Sequence, residues 1–274
     1  MKMVYRIIKM VVLTAGAVIS VYPLLFMLTT ALQPSTLLFE YPPKLLPSQL
    51  TWANFAEAWT SQNFSIYMGN SVLVTAASFL LIFVLSSMLA FAYSRFRFAG
   101  KSLTFAMLMG ALVIPGLTLV IPQFMLIRSL GLFDSYWGLI TVYTASAIPF
   151  TTFLLKGFFD TITKEIDESV SIDGGGSFRL FLSVILPLSK PAFVPVTIFN
   201  ALTIWEEFPW ALTIINDPLK RTLPIALANF QGQYTTQWGI VFAGSLIALL
   251  PVILLFVFLQ RYFIAGITAG AVKG

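Results

Sequence analysis

Apolar residues fall along this chain in six long blocks, at roughly 10–32, 68–92, 103–127, 136–155, 191–215 and 238–260, with polar stretches between them. A bilayer core needs about 20 apolar residues per helix, and each block is long enough to supply them. The pattern predicts an all-α, polytopic membrane protein with six transmembrane helices. The intervening stretches, 33–67, 93–102, 128–135, 156–190 and 216–237, are too short to hide a separate soluble domain, so residues 1–274 read as one membrane domain. Lys2, Arg6 and Lys9 open the chain in the manner of a secretion signal. Too few apolar residues separate Lys9 from the small-residue site Ala15-Gly16-Ala17 for a signal core, so the first block reads as an uncleaved span.

Composition strengthens this picture. The chain is 58% hydrophobic and 10% charged, with mean hydropathy +0.89, where a soluble domain carries about 25% charged residues. A net charge of +5 would suggest nucleic acid in a soluble protein. Here the basic residues flank apolar blocks, which fits lipid and not nucleic acid. Twelve of the 16 Lys and Arg (Lys2, Arg6, Lys9, Arg95, Arg97, Lys101, Lys156, Lys164, Arg179, Lys190, Arg261 and Lys273) fall on one side of a six-span topology. Lys44, Arg128, Lys220 and Arg221 fall on the other. By the positive-inside rule both termini and the 156–190 stretch face the cytoplasm. Proline recurs inside the blocks, at Pro23, Pro115, Pro122, Pro149, Pro195, Pro209 and Pro251. Each removes a backbone donor and tends to kink a helix. Packing accommodates such kinks in many membrane proteins, but Pro115 and Pro122 on one block favour a span bent around a pathway.

Candidate chemistry is sparse. The chain has no Cys and no His, which removes thiolate nucleophiles, imidazole metal sites and histidine bases together. Phe98-Ala-Gly-Lys101-Ser102 resembles the end of a phosphate-binding P-loop, but Arg95 stands where the first glycine belongs and no strand precedes it. Gly174-Gly175-Gly176 lacks the following lysine and reads as a tight turn between helices. Glu206 and Glu207, taken as neighbours on one helix, would point about 100° apart and could not face each other as a catalytic pair. Nothing in the chain reads as an ATP site.

Between the fourth and fifth blocks lies EIDESVSIDGGGSFRLFLSVILPL, residues 165–188, unlike anything else in the sequence. It predicts a short amphipathic helix from Glu165 to Ile172, a glycine break, and a second helix from Phe178 to Leu186 stopped by Pro187. Ile166, Val170 and Ile172 form an apolar edge of the first helix, with Asp167 and Glu168 elsewhere around it. A helical, glycine-broken segment of this length between spans reads as a docking module for a soluble partner rather than an ordinary loop.

These residues resemble the cytoplasmic loop of permease subunits of binding-protein-dependent ABC importers, whose motif runs EAA, three residues, Gly, nine residues, I-x-L-P. Glu168-Ser169-Val170 stands at the EAA place, Gly174 follows at the motif spacing, then Val184 and Leu186-Pro187. Ser169 and Val170 replace the two alanines, and Val184 replaces Ile. The likeness extends over nearly the whole chain. Thr51-Trp-Ala-Asn54-Phe55 with Asn70-Ser71 is similar to the outer loop and second-helix entry of carbohydrate-type permeases. The segment from Ala90 through Arg95 to Lys101 is similar to their next inner loop. The ending from Gln260 through Gly266, Thr268 and Gly270 to Lys273-Gly274 is similar to the tail of the shorter maltose-type subunit.

The resemblance implies a permease subunit, itself not an enzyme, that moves a sugar into the cytoplasm. It implies a second permease subunit, two cytoplasmic ATPase subunits holding ATP and Mg, an extracytoplasmic sugar-binding protein, and a bacterial or archaeal cytoplasmic membrane, with no cofactor on this chain. It assigns ATPase coupling to Glu168, Ser169, Asp173, Gly174, Phe178, Leu186 and Pro187, within a loop at about 157–190. An importer for another solute, such as a polyamine or an osmolyte, is the alternative within transport. A membrane-embedded enzyme acting on lipids or glycans is the alternative outside it, and the missing His, Cys and clustered acid–base set argue against that class.

For the solute path the fifth block offers Asn200, Trp205, Glu206 and Glu207. A carboxylate within a span costs about 2.5–3.5 kcal/mol on insertion scales, which calls for a reason. Counting about 1.5 Å per residue from Pro191 places Glu206 roughly 22 Å into the span, past the midplane of a roughly 30 Å core. The family often has Trp-Asn-x-Phe where this chain has Trp205-Glu206-Glu207-Phe208. A role in the path, a salt bridge to the partner subunit and a solvated outer end of the span all fit that position.

Overall fold

The structure, a computed structural model, describes residues 2–34, 49–61, 63–230 and 236–271, with backbone alone at 2 and 261–271. Lys44, Lys273 and Gly274 lie outside the described residues. Among the described residues every extended element is helical. They are α1 (Lys2–Ala31), α2 (Ala53–Thr60), α3 (Phe64–Arg95), α4 (Lys101–Gly110), α5 (Val120–Ser129), α6 (Tyr136–Phe159), α7 (Glu165–Ile172), α8 (Ser177–Leu180), α9 (Leu186–Leu188), α10 (Lys190–Trp205), α11 (Pro209–Ile214), α12 (Leu223–Asn229) and α13 (Trp238–Ala271). Four helices, α1, α3, α6 and α13, are each long and apolar enough to cross a membrane. Two bent pairs, residues 101–113 with 116–129 and residues 177–188 with 190–205, bring the number to six when each is counted as one span.

The third block is one of those pairs, bent by 99° between residues 101–113 and 116–129. This is a break, not the kink of a continuous helix. α4 gives way to a 3₁₀ turn at Ala111–Val113, Ile114 is extended at ψ 120°, and a second 3₁₀ turn, Gly116–Leu119, leads into α5. A residue before proline is driven out of the α region by the proline ring, so Ile114-Pro115 ends the helix. Pro122 is tolerated because it lies in the first turn of α5, where its missing N–H has no helical partner to lose.

The fifth block is likewise not one helix. α10 stops at Trp205 and α11 begins at Pro209. Proline clashes with the carbonyl four residues before it, which here belongs to Trp205. Glu206 and Glu207 therefore lie at a break and not on a continuous helix face, so the 100° separation assumed from sequence does not apply to them.

The chain divides into two compact units. The first comprises residues 1–66 and 225–251. Within it, Asn54 Nδ2 donates to the carbonyls of Ala31 and Gln33, each at 2.9 Å, fixing α2 to the end of α1. Phe64 stacks on Phe230 with ring centroids 5.7 Å apart. Gly239 lies so close to Asn54 that a Cβ there would sit 2.6 Å from Nδ2. Gly239→Ala is therefore expected to push the amide off its two carbonyls, at a cost of about 1–3 kcal/mol for the unpaired groups. A lower aggregation temperature in detergent would report it, while Gly69→Ala, with nothing within 4 Å, should leave that temperature unchanged.

The second unit comprises residues 67–224 and 252–274. α6, of 24 residues, is its axis and spans about 36 Å. Asn200 on α10 donates to Thr151 Oγ1 of α6 at 3.0 Å, and Phe150 and Phe199 pack at 4.7 Å beside it. Phe83 of α3 meets Phe193 of α10 edge-on at 4.8 Å. At the end of α6 that leads into α7, Ala90, Phe91, Leu155, Phe159, Leu180, Phe181, Ile185 and Val196 form a buried apolar cluster joining α3, α6, α10 and the 177–188 helix.

A candidate docking loop and a broken span

α7 forms over the residues its pattern predicts. Three acids in its first turn, Glu165, Asp167 and Glu168, sit at the positive end of the helix dipole. Its C-terminus closes in a Schellman motif: Gly175 N donates to Val170 O at 2.8 Å and Gly174 N to Ser171 O at 3.1 Å. That motif requires a left-handed residue, and Gly174 takes it at φ +73°. The second helix runs further than expected, from Ser177 to Leu188, as α8, a π-helical turn at Phe181–Ile185, and α9. Leu186 and Pro187 lie in its last turn. The axis then bends by 77° into α10 at Ser189, whose buried hydroxyl donates to Ile185 O at 2.6 Å.

The faces of α7 differ from expectation at one position. Ile166, Asp167 and Val170 turn inward and are partly buried, Val170 against the apolar cluster. Ile172 does not join that edge and is 86% exposed. Eight residues make little more than two turns, so the pattern alone left its direction open. Ile172 belongs instead to the outward face with Glu168, Ser169, Asp173 and Phe178, the last 71% exposed. Two large apolar side chains among acids on a projecting helix pair form a surface suited to another protein.

One residue that the sequence showed as a flanking charge in the inner-loop segment organises this end of the unit. Arg95, the last residue of α3, has a side chain 5% exposed, and its Nε lies 2.8 Å from Asp167 Oδ2 on α7. Its Nη1 donates to Phe159 O at 3.1 Å and its Nη2 to Ile162 O at 3.0 Å, closing the corner between α6 and α7. Beside it Asp160 accepts from Ser94 Oγ at 2.7 Å and Lys156 Nζ at 2.6 Å. Burial works to raise the Asp160 pKa, but the bonds from Lys156 and Ser94 and the charges of Lys156 and Arg95 hold it below 3.8. The Asp160 carboxylate therefore supports the corner through the ordinary carboxylate range, and that support is lost as pH falls through its lowered value.

At the opposite end of α6 a second set of contacts holds residues 216–222. Asp134 Oδ1 accepts from the backbone N–H of Asn216 at 3.0 Å and of Asp217 at 2.9 Å, with Lys220 Nζ 3.5 Å from Oδ2. Asn70 donates to the carbonyls of Leu219 and Arg221 and accepts from the Tyr136 hydroxyl.

The broken fifth span shows what its polar residues do. Glu207 turns inward: its carboxylate accepts from the Tyr143 hydroxyl, from Trp210 N at 2.8 Å and from Ala211 N at 3.0 Å. It thus satisfies the free N–H groups that open α11. Trp210 in turn donates from Nε1 to Gln123 of α5 at 2.5 Å. Glu206 is exposed. Asn200 is 2% exposed, its amide held by Thr151 and by Val196 O at 2.9 Å, and Trp205 is 9% exposed. Of the four residues read as path candidates, the structure presents Glu206 outward and packs Asn200 and Trp205 within the unit. Glu207 is committed to the break, where its carboxylate accepts three hydrogen bonds.

Among the described residues, four helices and two bent pairs are apolar enough to cross a membrane, and the α7–α8 loop lies between α6 and α10. Residues 82–268 match the family of binding-protein-dependent transport system inner membrane components, and the chain belongs to that family. It is 39% identical over 253 residues to the probable ABC transporter permease protein YurM of Bacillus subtilis strain 168, covering 92% of this chain and 84% of that one. It is 33% identical over 254 residues to the melibiose/raffinose/stachyose import permease protein MelC of the same organism, covering 92% of this chain and 91% of that one. Its fold is that of a solved bacterial ABC transporter chain involved in import of the acidic polysaccharide alginate. That match has a TM-score of 0.84 and 20% sequence identity, over 95% of this chain and 96% of that one.

Proposed function

We propose that this chain is one half of the membrane path of a carbohydrate importer, driven by ATP that a separate cytoplasmic subunit binds with Mg and hydrolyses. The observation that carries the reading is the α7–α8 loop. Its inward face is fixed to α3 and α6, while Glu168, Ile172 and Phe178 face outward at the end of the unit richest in Lys and Arg. The charge distribution supports a cytoplasmic position for that end and for both termini. The import permease named for melibiose, raffinose and stachyose supports a sugar as the solute. On this reading a second permease subunit completes the path, two ATPase subunits dock on the two permeases, and an extracytoplasmic binding protein delivers the sugar.

The experiment is reconstitution in proteoliposomes. The chain alone should hydrolyse no ATP. With a second permease, an ATPase and a loaded binding protein from the same genome, it should take up oligosaccharide in an ATP-dependent way. Turnover by the isolated chain, or uptake only of a polyamine or osmolyte, would overturn the ATPase and the sugar assignments respectively.

A further inference from the structure

We propose that Arg95 is a positioning residue, the joint through which a movement of α7 reaches α3. The proposal rests on α7–α8 being the docking loop. α7 is joined to α6 by the chain itself, through residues 160–164. Its polar tie to α3 is the Arg95–Asp167 pair. The second docking helix reaches α3 differently, through Phe181, whose ring centroid lies 5.0 Å from that of Phe91.

The geometry of the joint is uneven. The two Nη groups of Arg95 donate along their N–H directions to carbonyls at the α6–α7 corner, so the guanidinium is fixed in place. Toward Asp167 the contact is close, 2.8 Å, yet no hydrogen bond is aligned on Nε, and Asp167 Oδ1 is buried without a hydrogen-bond partner. An off-axis ion pair is held by charge more than by direction. It keeps α7 attached while α7 tilts, where a bidentate pair would resist tilting. With the side chain of Arg95 only 5% exposed, water screens that attraction weakly. A docking helix pushed by its partner therefore pulls on the end of α3 without parting from it.

Two measurements test this. The chain has no cysteine, so Ser171→Cys and Arg97→Cys can carry a spin-label pair reporting the distance from α7 to the end of α3 in nanodiscs. Adding Asp167→Asn should broaden that distance distribution, and Asp167→Glu, which keeps the charge, should restore it. In the assembled transporter Asp167→Asn should lower the sugar moved per ATP hydrolysed at least threefold, with partial recovery in Asp167→Glu. An unchanged distribution, or recovery by no conservative variant, overturns the joint. If Asp167→Asn transports at the normal ratio while Gly174→Pro does not, the joint fails and the docking loop stands. If both transport normally, the docking reading falls with it.

Discussion

Gly174→Pro is expected to leave the chain inserted in the membrane and to abolish coupled transport. Proline holds φ near −65°, and Gly174 sits at +73°. The substitution also removes the N–H that donates to Ser171 O, so the Schellman turn cannot close. α8 would leave α7 in another direction, and Phe178 would no longer share a face with Glu168 and Ile172. Gly174→Ala separates conformation from bulk. A Cβ there meets nothing within 4 Å, so its cost is the left-handed backbone alone, about 1–2 kcal/mol. At Gly175 the same methyl would lie 2.6 Å from Val170 Cγ1 and 2.9 Å from Val170 O, which a small adjustment does not relieve. Sugar uptake and binding-protein-stimulated ATP hydrolysis, measured together, should fall mildly in Gly174→Ala and to background uptake in Gly174→Pro. Normal uptake by Gly174→Pro with the ATPase bound would remove the coupling role.

Glu206 and Glu207, adjacent in sequence, are expected to fail differently. Glu207→Ala strands the Tyr143 hydroxyl and the N–H groups of Trp210 and Ala211 at the break in the fifth span. Each buried group left unpaired costs about 1–3 kcal/mol, so this variant should lose most of its folded yield. Glu206→Gln touches none of these bonds. Its complex should assemble, and its ATPase should still respond to the binding protein, while sugar uptake falls or changes selectivity. A carboxylate accepts two hydroxyl hydrogen bonds in one plane, which a sugar can supply. Detergent dissociation of the Glu206→Gln complex with unchanged selectivity would instead mark the exposed Glu206 as a contact to the partner permease, where a charge covered by the interface needs a partner.

The comparison of these two acids shows what the sequence could and could not reveal. The apolar blocks and the glycine-broken loop are local patterns, and α7 has the limits that its acids and Gly174 predict. The breaks at Pro115 and Pro209 were visible as prolines, but whether a span kinks or turns through 99° depends on what receives the freed backbone groups. Glu207 receives them at α11, a role that needs Tyr143 from a different helix. Asn200 is legible as a hydrogen-bonding group on the fifth span, but only the fold shows that its amide donates to Thr151 and Val196. Arg95 was legible as a charge at a span end and as part of the inner loop, but not as a joint, because Asp167, Phe159 and Ile162 come to it through the fold. Ile172 was placed on the wrong face, since an eight-residue helix does not fix its own rotation against a neighbour.

The most direct test of the account is cross-linking from the α7–α8 surface to the ATPase. The chain's lack of cysteine lets single introduced cysteines carry a photoactivatable cross-linker. Ile172→Cys and Phe178→Cys should attach to the ATPase in the assembled, transport-active complex, with yields that change when ATP is added. Val170→Cys, partly buried against the apolar cluster, and Leu219→Cys, exposed at the opposite end of α6, should not attach. An active complex in which Ile172 and Phe178 never reach the ATPase, or in which Leu219 reaches it as well as they do, would contradict the account.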